Sequence, residues 1–145
     1  MGNESTGTGS AGAGRLDGRV VLVTGAASGI GLACADQVEA LGGKAVRTDL
    51  PDASNDPAVL PLDVTDDAAT REDTASVLAA HGRLDGLETA AGVAGGGPMH
   101  ANDDTERPRV TDVNLTGTNP AVRQPVEAMH AQDPHGGELA SSVTN

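Results

Sequence analysis

The sequence predicts an α/β fold, a doubly wound three-layer sandwich built on a mostly parallel sheet. Three observations carry that expectation. Short apolar runs alternate with longer helical patterns along the chain. The first run, Arg19-Val20-Val21-Leu22-Val23-Thr24, is apolar at consecutive rather than alternate positions, as in a strand covered on both faces. A glycine-rich turn, Gly25 to Gly31, joins that run directly to a helical pattern.

The elements follow in order. Residues 1–14 are mostly Gly, Ser, Thr and Ala, a composition that buries no core and reads as a flexible tail. Its opening, Met1 to Thr6, matches a loose myristoylation pattern, which fixes too few positions to outweigh a solvated tail. Residues 15–145 form the domain. After the glycine turn, Ile30, Ala33, Cys34, Val38 and Leu41 recur at helical spacing, and Gly42-Gly43 stops the helix. Lys44 to Leu50 reads as a second strand and Val59 to Val64 as a third. Asp66 to Ala80 is an alanine-rich helix that Thr65 or Asp66 can cap and His81-Gly82 can end. Leu84 to Ala91 is a fourth strand, and Gly92 to Gly97 a loop. A further helix carries Val110, Val113, Leu115, Val122, Val126 and Met129, and Leu139 to Val143 begins a fifth strand.

Composition narrows the function. Formal charge is −12, from 21 acidic against 9 basic residues, so nucleic-acid binding is not expected. No apolar run reaches the length of a membrane span, and the single cysteine, Cys34, agrees with a reducing cytoplasm. Phe, Tyr and Trp are absent, so the core must be built from Val, Leu and Ala, and marginal stability is expected. His81, His100, His130 and His135 show no ligand spacing, so no metal site is expected. Cys34 reads as a small core residue, and Asp103, Asp104 and Glu106 as helix-start charges.

The chemistry-bearing signal is Thr24-Gly25-Ala26-Ala27-Ser28-Gly29-Ile30-Gly31. Glycines let a backbone turn tightly and admit a diphosphate where a Cβ would stand, and the helix behind points amides and positive dipole at the phosphates. Asp49, at the end of the second strand, is placed to accept hydrogen bonds from an adenosine ribose and to repel a 2′-phosphate, which favours NAD over NADP.

This spacing, Thr-Gly-x-x-x-Gly-x-Gly, resembles that of the short-chain dehydrogenase/reductase family. Later segments resemble the family in the same order: Leu62-Asp63-Val64-Thr65-Asp66, Leu84-Asp85-Gly86-Leu87 followed by Ala90-Ala91-Gly92, Asp112-Val113-Asn114-Leu115-Thr116-Gly117, and Ser141-Ser142-Val143. The resemblance covers Leu16 to the C-terminus and implies a Rossmann-like fold. It implies that Gly25, Ser28, Gly29, Ile30 and Gly31 line the diphosphate, and that Asp49 binds the ribose. It also places Asp63 and Val64 beside the adenine, and Ala91 and Gly92 against the cofactor. Asn114 would belong to a proton relay, and Ser142 would bind the substrate oxygen. The implied partners are a nicotinamide cofactor and a small alcohol or ketone, with assembly as a homo-oligomer or with a full-length relative.

The family's general acid/base is a tyrosine, followed one helical turn on by a lysine. This chain has no tyrosine, and its lysine is Lys44. The expectation is therefore a truncated, incomplete domain, inactive alone. Three local conflicts add to it. Glu88 falls inside the fourth strand, where a buried unpaired carboxylate is costly or protonated. Thr89 stands where the family has asparagine, and Pro120 and Pro125 interrupt the last helix at about 3 kcal/mol each if interior. The alternatives are a non-catalytic nucleotide-binding module that pairs with a relative, and a non-functional remnant. A methyltransferase is disfavoured by the turn spacing and the later motifs.

Overall fold

Val20–Val23 leaves neither face of its strand to solvent, and the structure accordingly places that strand inside the sheet. The computed structural model describes residues 14–98, 100 and 105–133. Strand β1 (Val20–Thr24) pairs in parallel with β2 (Lys44–Asp49) on one side and β4 (Gly86–Thr89) on the other. Strand β3 (Val59–Pro61) pairs in parallel with β2, giving the order β3-β2-β1-β4 among the described residues. Helix α1 (Gly29–Ala40) follows the glycine turn, α2 (Asp67–His81) links β3 to β4, and α3 (Glu106–Thr111) and α4 (Thr118–His130) follow β4.

Side chains alternate across the sheet and divide the core into layers. Leu22, Val46 and Leu84 pack with Val77 of α2 and Met129 of α4. Val23 and Ala45 pack with Ala35 and Val38 of α1 on the opposite face. Leu62, Val64 and Ala121 form a third cluster at the strand ends. The three-layer, parallel α/β fold is therefore the one the sequence predicts, with a Val/Leu/Ala core. The tail before residue 14 and the strand expected at Leu139–Val143 lie outside the described residues.

Helix ends follow their signals. The Asp66 carboxylate accepts from the amides of Ala68 and Ala69 at 2.9 and 3.0 Å, and Gly82 closes α2 at φ 74°. The buried hydroxyls of Thr70 and Thr74 donate to the carbonyls of Asp66 and Thr70, so this helix buries threonine without orphaned groups.

Four expectations need correction. The buried stripe of α1 is Gly31 and Ala35 with Cys34 and Val38 half-buried beside them, whereas Ile30 and Ala33 are exposed. Small residues set the contact, because a Cβ on Gly31 would collide with the carbonyl of Gly25. The prolines do not break the last helix. A π-helical segment, Asp112–Thr116, closed by Gly117 N–H donating to Asp112 O at 2.7 Å, shifts the register. Helix α4 then starts at Thr118, and Pro120 falls in a first turn that needs no N–H donor. Pro125 is interior and buried, so its missing hydrogen bond is offset by packing. Glu88 is half-buried rather than buried. Strands β3 and β4 are also shorter than expected, since Leu62, Val64 and Leu84 turn into the core just beyond the strand limits.

One carboxylate works against the fold at neutral pH. Asp73 on α2 has an oxygen buried without a hydrogen-bond partner, and burial, with Glu72 beside it, raises its pKa. A carboxyl whose pKa is raised on folding favours the fold below its unfolded pKa and opposes it as pH rises through the native value. Asp73→Asn is therefore expected to stabilise the chain at pH 7 and to leave it unchanged at pH 3. Urea unfolding followed by far-ultraviolet circular dichroism checks this; a neutral or destabilising effect at pH 7 would refute it.

Candidate nucleotide-binding site

All four described strands run parallel, so their carboxyl ends open on one side of the sheet. The chain leaves β1 toward β2 on one side and reaches β4 on the other, which makes a crevice at the end of β1. The glycine turn occupies that crevice.

Each glycine in the turn answers a local demand. Gly25 has φ 67°, and a Cβ there would stand 2.6 Å from backbone atoms of Ala90 and Ala91. Gly29 has φ 55° and faces open space, with nothing within 4 Å of a Cβ position. Ser28 precedes α1 in an extended conformation with its hydroxyl unused as a cap. Ile30 is 74 % exposed beside it. The first turn of α1 offers free amides and the positive end of its dipole here. A diphosphate fits this arrangement, because the open side of Gly29 leaves room for it and the amides carry the complementary charge.

Asp49 is tied to the turn. One carboxylate oxygen accepts from the Ala27 amide at 2.9 Å, the other from the Leu50 amide at 2.8 Å. Next to it Ala26 N–H donates to Thr48 O at 3.0 Å, and the buried Thr48 hydroxyl donates to Val23 O at 3.2 Å. The predicted ribose reader and the predicted diphosphate cradle are thus in direct contact.

The other wall is the segment after β4. Ala91 N–H donates to the Thr24 hydroxyl at 3.3 Å, and Ala90 N–H to Thr24 O at 3.3 Å. Asn114, in the π-helical segment, accepts from Val93 N–H at 2.8 Å and donates to Val93 O at 3.0 Å. It stands against Gly92, where a Cβ would be 3.3 Å from its side-chain oxygen. The structure therefore joins Gly25, Ala91, Gly92 and Asn114 in one chain of contacts. Asp63 is exposed beyond β3, its carboxylate accepting from Thr65 N–H and hydroxyl at 2.9 and 2.6 Å. The Val64 side chain belongs to the core, packed with Leu62 and Ala121. Ser142 lies outside the described residues. No group of three or more His, Cys, Asp or Glu side chains suited to a metal occurs among the described residues. No described helix is long and apolar enough to cross a membrane.

Sequence reasoning passed over the hydroxyls of Thr24 and Thr48, which fasten the backbone around the turn. For Thr24, a threonine closing an apolar strand was the available signal, because a buried hydroxyl must find a partner.

Known proteins resemble this chain in sequence and fold. The sequence profile described as short chain dehydrogenase matches residues 19–141. The chain is similar to human 3-hydroxyacyl-CoA dehydrogenase type-2, with 31% identity over 147 residues, 90% of this chain and 56% of that one. It is similar to 2-dehydro-3-deoxy-L-rhamnonate dehydrogenase (NAD(+)) of Sphingomonas sp. strain SKA58, with 36% identity over 117 residues, 72% of this chain and 46% of that one. Its fold is similar to ligand-free Thermoplasma acidophilum aldohexose dehydrogenase, with TM-score 0.71 and 28% identity over 83% of this chain and 48% of that one. The chain thus spans about half the length of the relatives it matches. With a family match across most of its length and the family's parallel sheet and glycine turn in place, the chain belongs to the short-chain dehydrogenases/reductases.

Proposed function

We propose that this chain is the NAD-binding part of an oxidoreductase that interconverts a carbinol and a carbonyl. The observation that carries the reading is the contact between the Asp49 carboxylate and the glycine turn at the N-terminus of α1. Gly25, Ser28, Gly29, Ile30 and Gly31 hold the diphosphate, and Asp49 accepts from the adenosine ribose and repels a 2′-phosphate. Asp63 and Val64 flank the adenine, and Ala91 and Gly92 bound the crevice on the side of β4. The similarity to an enzyme described with NAD(+) supports the same preference. A bound nicotinamide supplies the hydride donor or acceptor. Asn114 keeps the segment after β4 in place and belongs to the proton relay, and Ser142 holds the substrate oxygen. A soluble cytoplasmic setting agrees with the single cysteine.

Proton transfer is the step this chain lacks a group for. It has no tyrosine, and an isolated serine hydroxyl is a poor proton donor near neutral pH. General acid–base help is worth about 10²–10⁴-fold, so the chain alone is expected to bind without turning over.

Titration with NADH, followed by the cofactor's own fluorescence, tests the reading, with NADPH in parallel. The expected result is saturable NADH binding and NADPH binding weaker by at least about tenfold, or 1.4 kcal/mol. Absence of binding to either would refute nucleotide binding. Steady turnover of secondary alcohols by the purified chain would refute the inactivity.

A further inference from the structure

We infer that Asp49 is also the positioning residue of the glycine turn, holding it in the shape that receives a diphosphate before any nucleotide arrives. The inference rests on the reading of that turn as a diphosphate cradle, and adds to Asp49 a task distinct from ribose recognition. The turn has two glycines at positive φ, Gly25 and Gly29, so its backbone has wide conformational freedom when untied. Its flanks are anchored by Ala26 N–H to Thr48 O at 3.0 Å and Leu32 N–H to Ser28 O at 3.1 Å. Between them, the Ala27 amide donates to the Asp49 carboxylate at 2.9 Å. Asp49 is itself fixed, since its second oxygen accepts from Leu50 N–H and its carbonyl accepts from Leu62 N–H at 2.7 Å. A charged acceptor on a rigid strand end thus fastens the middle of a glycine-rich segment, and hydrogen bonds to charged groups are the stronger kind.

The two tasks predict different mutant behaviour. A residue that only reads ribose would, when removed, weaken NADH and leave NADPH equal or improved. A residue that also holds the turn would, when replaced by alanine, weaken both cofactors, because each then bears the cost of ordering the turn. Asp49→Asn retains a neutral acceptor for Ala27 without the charge, so it is expected to keep the turn and to accept NADPH.

Hydrogen exchange of the Ala27 amide in the nucleotide-free chain, read by NMR, is the test. Exchange is expected to be about tenfold faster in Asp49→Ala than in the parent and within about threefold of it in Asp49→Asn, with β1 amides equally protected in all three. Unchanged Ala27 exchange in a folded Asp49→Ala would overturn the inference. A measurement on the unsubstituted chain covers the case in which Asp49→Ala does not fold. In that chain a scalar coupling across the hydrogen bond from the Ala27 amide to the Asp49 carboxyl carbon is expected, and its absence would overturn the inference. Neither readout uses nucleotide, so failure of cofactor binding would strike the functional reading and leave this one standing.

Discussion

Asp85→Ala is expected to cost about 3 kcal/mol of folding stability, a large share of the roughly 5–15 kcal/mol of a typical domain. The Asp85 side chain, 3 % exposed, sits just before β4 at the end of the sheet away from the glycine turn. Its carboxylate accepts from Val20 N–H at 2.9 Å and from Arg83 Nε at 2.7 Å, pairs with Arg83 Nη2, and lies 3.7 Å from Arg19. It therefore joins the starts of β1 and β4. Removing it orphans the Val20 amide and leaves two partly exposed guanidinium groups facing each other. Their exposure to water keeps the loss at the low end of the range for breaking a buried pair. Burial alone would raise the Asp85 pKa, but the hydrogen bonds from Arg83 and Val20 and the charges of Arg83 and Arg19 outweigh it and hold the carboxyl below its usual value. A carboxyl lowered in this way contributes stability above its unfolded pKa of about 3.9, and that stability is lost as pH falls through the native value. Asp85→Ala is thus expected to lower the urea midpoint at pH 7 and to flatten the acid limb of the stability curve. With no aromatic residues in the chain, far-ultraviolet circular dichroism is the probe. A parent-like midpoint at pH 7 and an unchanged acid limb would show that the cluster contributes nothing.

What was legible in the sequence was local. A run of consecutive apolar residues fixed β1, because such a run has no solvent face to offer. Asp66 and Gly82 marked the ends of α2, because caps act within one turn of chain. The glycine turn and Asp49 were readable because each demand, a positive φ or an acid at a strand end, falls on one residue. The buried face of α1 was misread because hydrophobicity was the guide, and the residue buried against the glycine turn is Gly31, which has the least side chain. Pro120 was misread because its acceptability depends on a one-residue register shift upstream, in a segment whose composition carries no mark of it. The Asp85 cluster and the Thr24–Ala91 hydrogen bond join residues far apart in the chain, so neither leaves a periodic trace. Ser142 rests on resemblance alone, since it lies outside the described residues.

Two glycines of the turn are expected to separate folding from binding when each is replaced by alanine. At Gly25 the new methyl meets backbone on β1's neighbour: its Cβ would be 2.6 Å from Ala90 and Ala91 atoms that no side-chain rotation can move. Relief requires pushing the segment after β4 away, which strains the bonds from Ala90 and Ala91 to Thr24. Left-handed backbone strain adds about 1–2 kcal/mol, and overpacking a further 1–3 kcal/mol. Gly25→Ala is therefore expected to lose about 3 kcal/mol and, with it, most of the folded chain at modest denaturant. At Gly29 the same strain applies, at φ 55°, but the methyl enters open space. Gly29→Ala is expected to cost only about 1 kcal/mol and to remain folded. If a diphosphate approaches the start of α1, however, that methyl stands in its path, and NADH affinity is expected to fall by about tenfold or more. Urea unfolding and NADH titration of both variants decide the matter. Equal stability losses would mean that the contact of Gly25 with Ala90 and Ala91 yields easily. Parent-like NADH binding by folded Gly29→Ala would mean that the open side of the turn is not where the diphosphate lies, and the site would have to be sought elsewhere along the carboxyl ends of the strands.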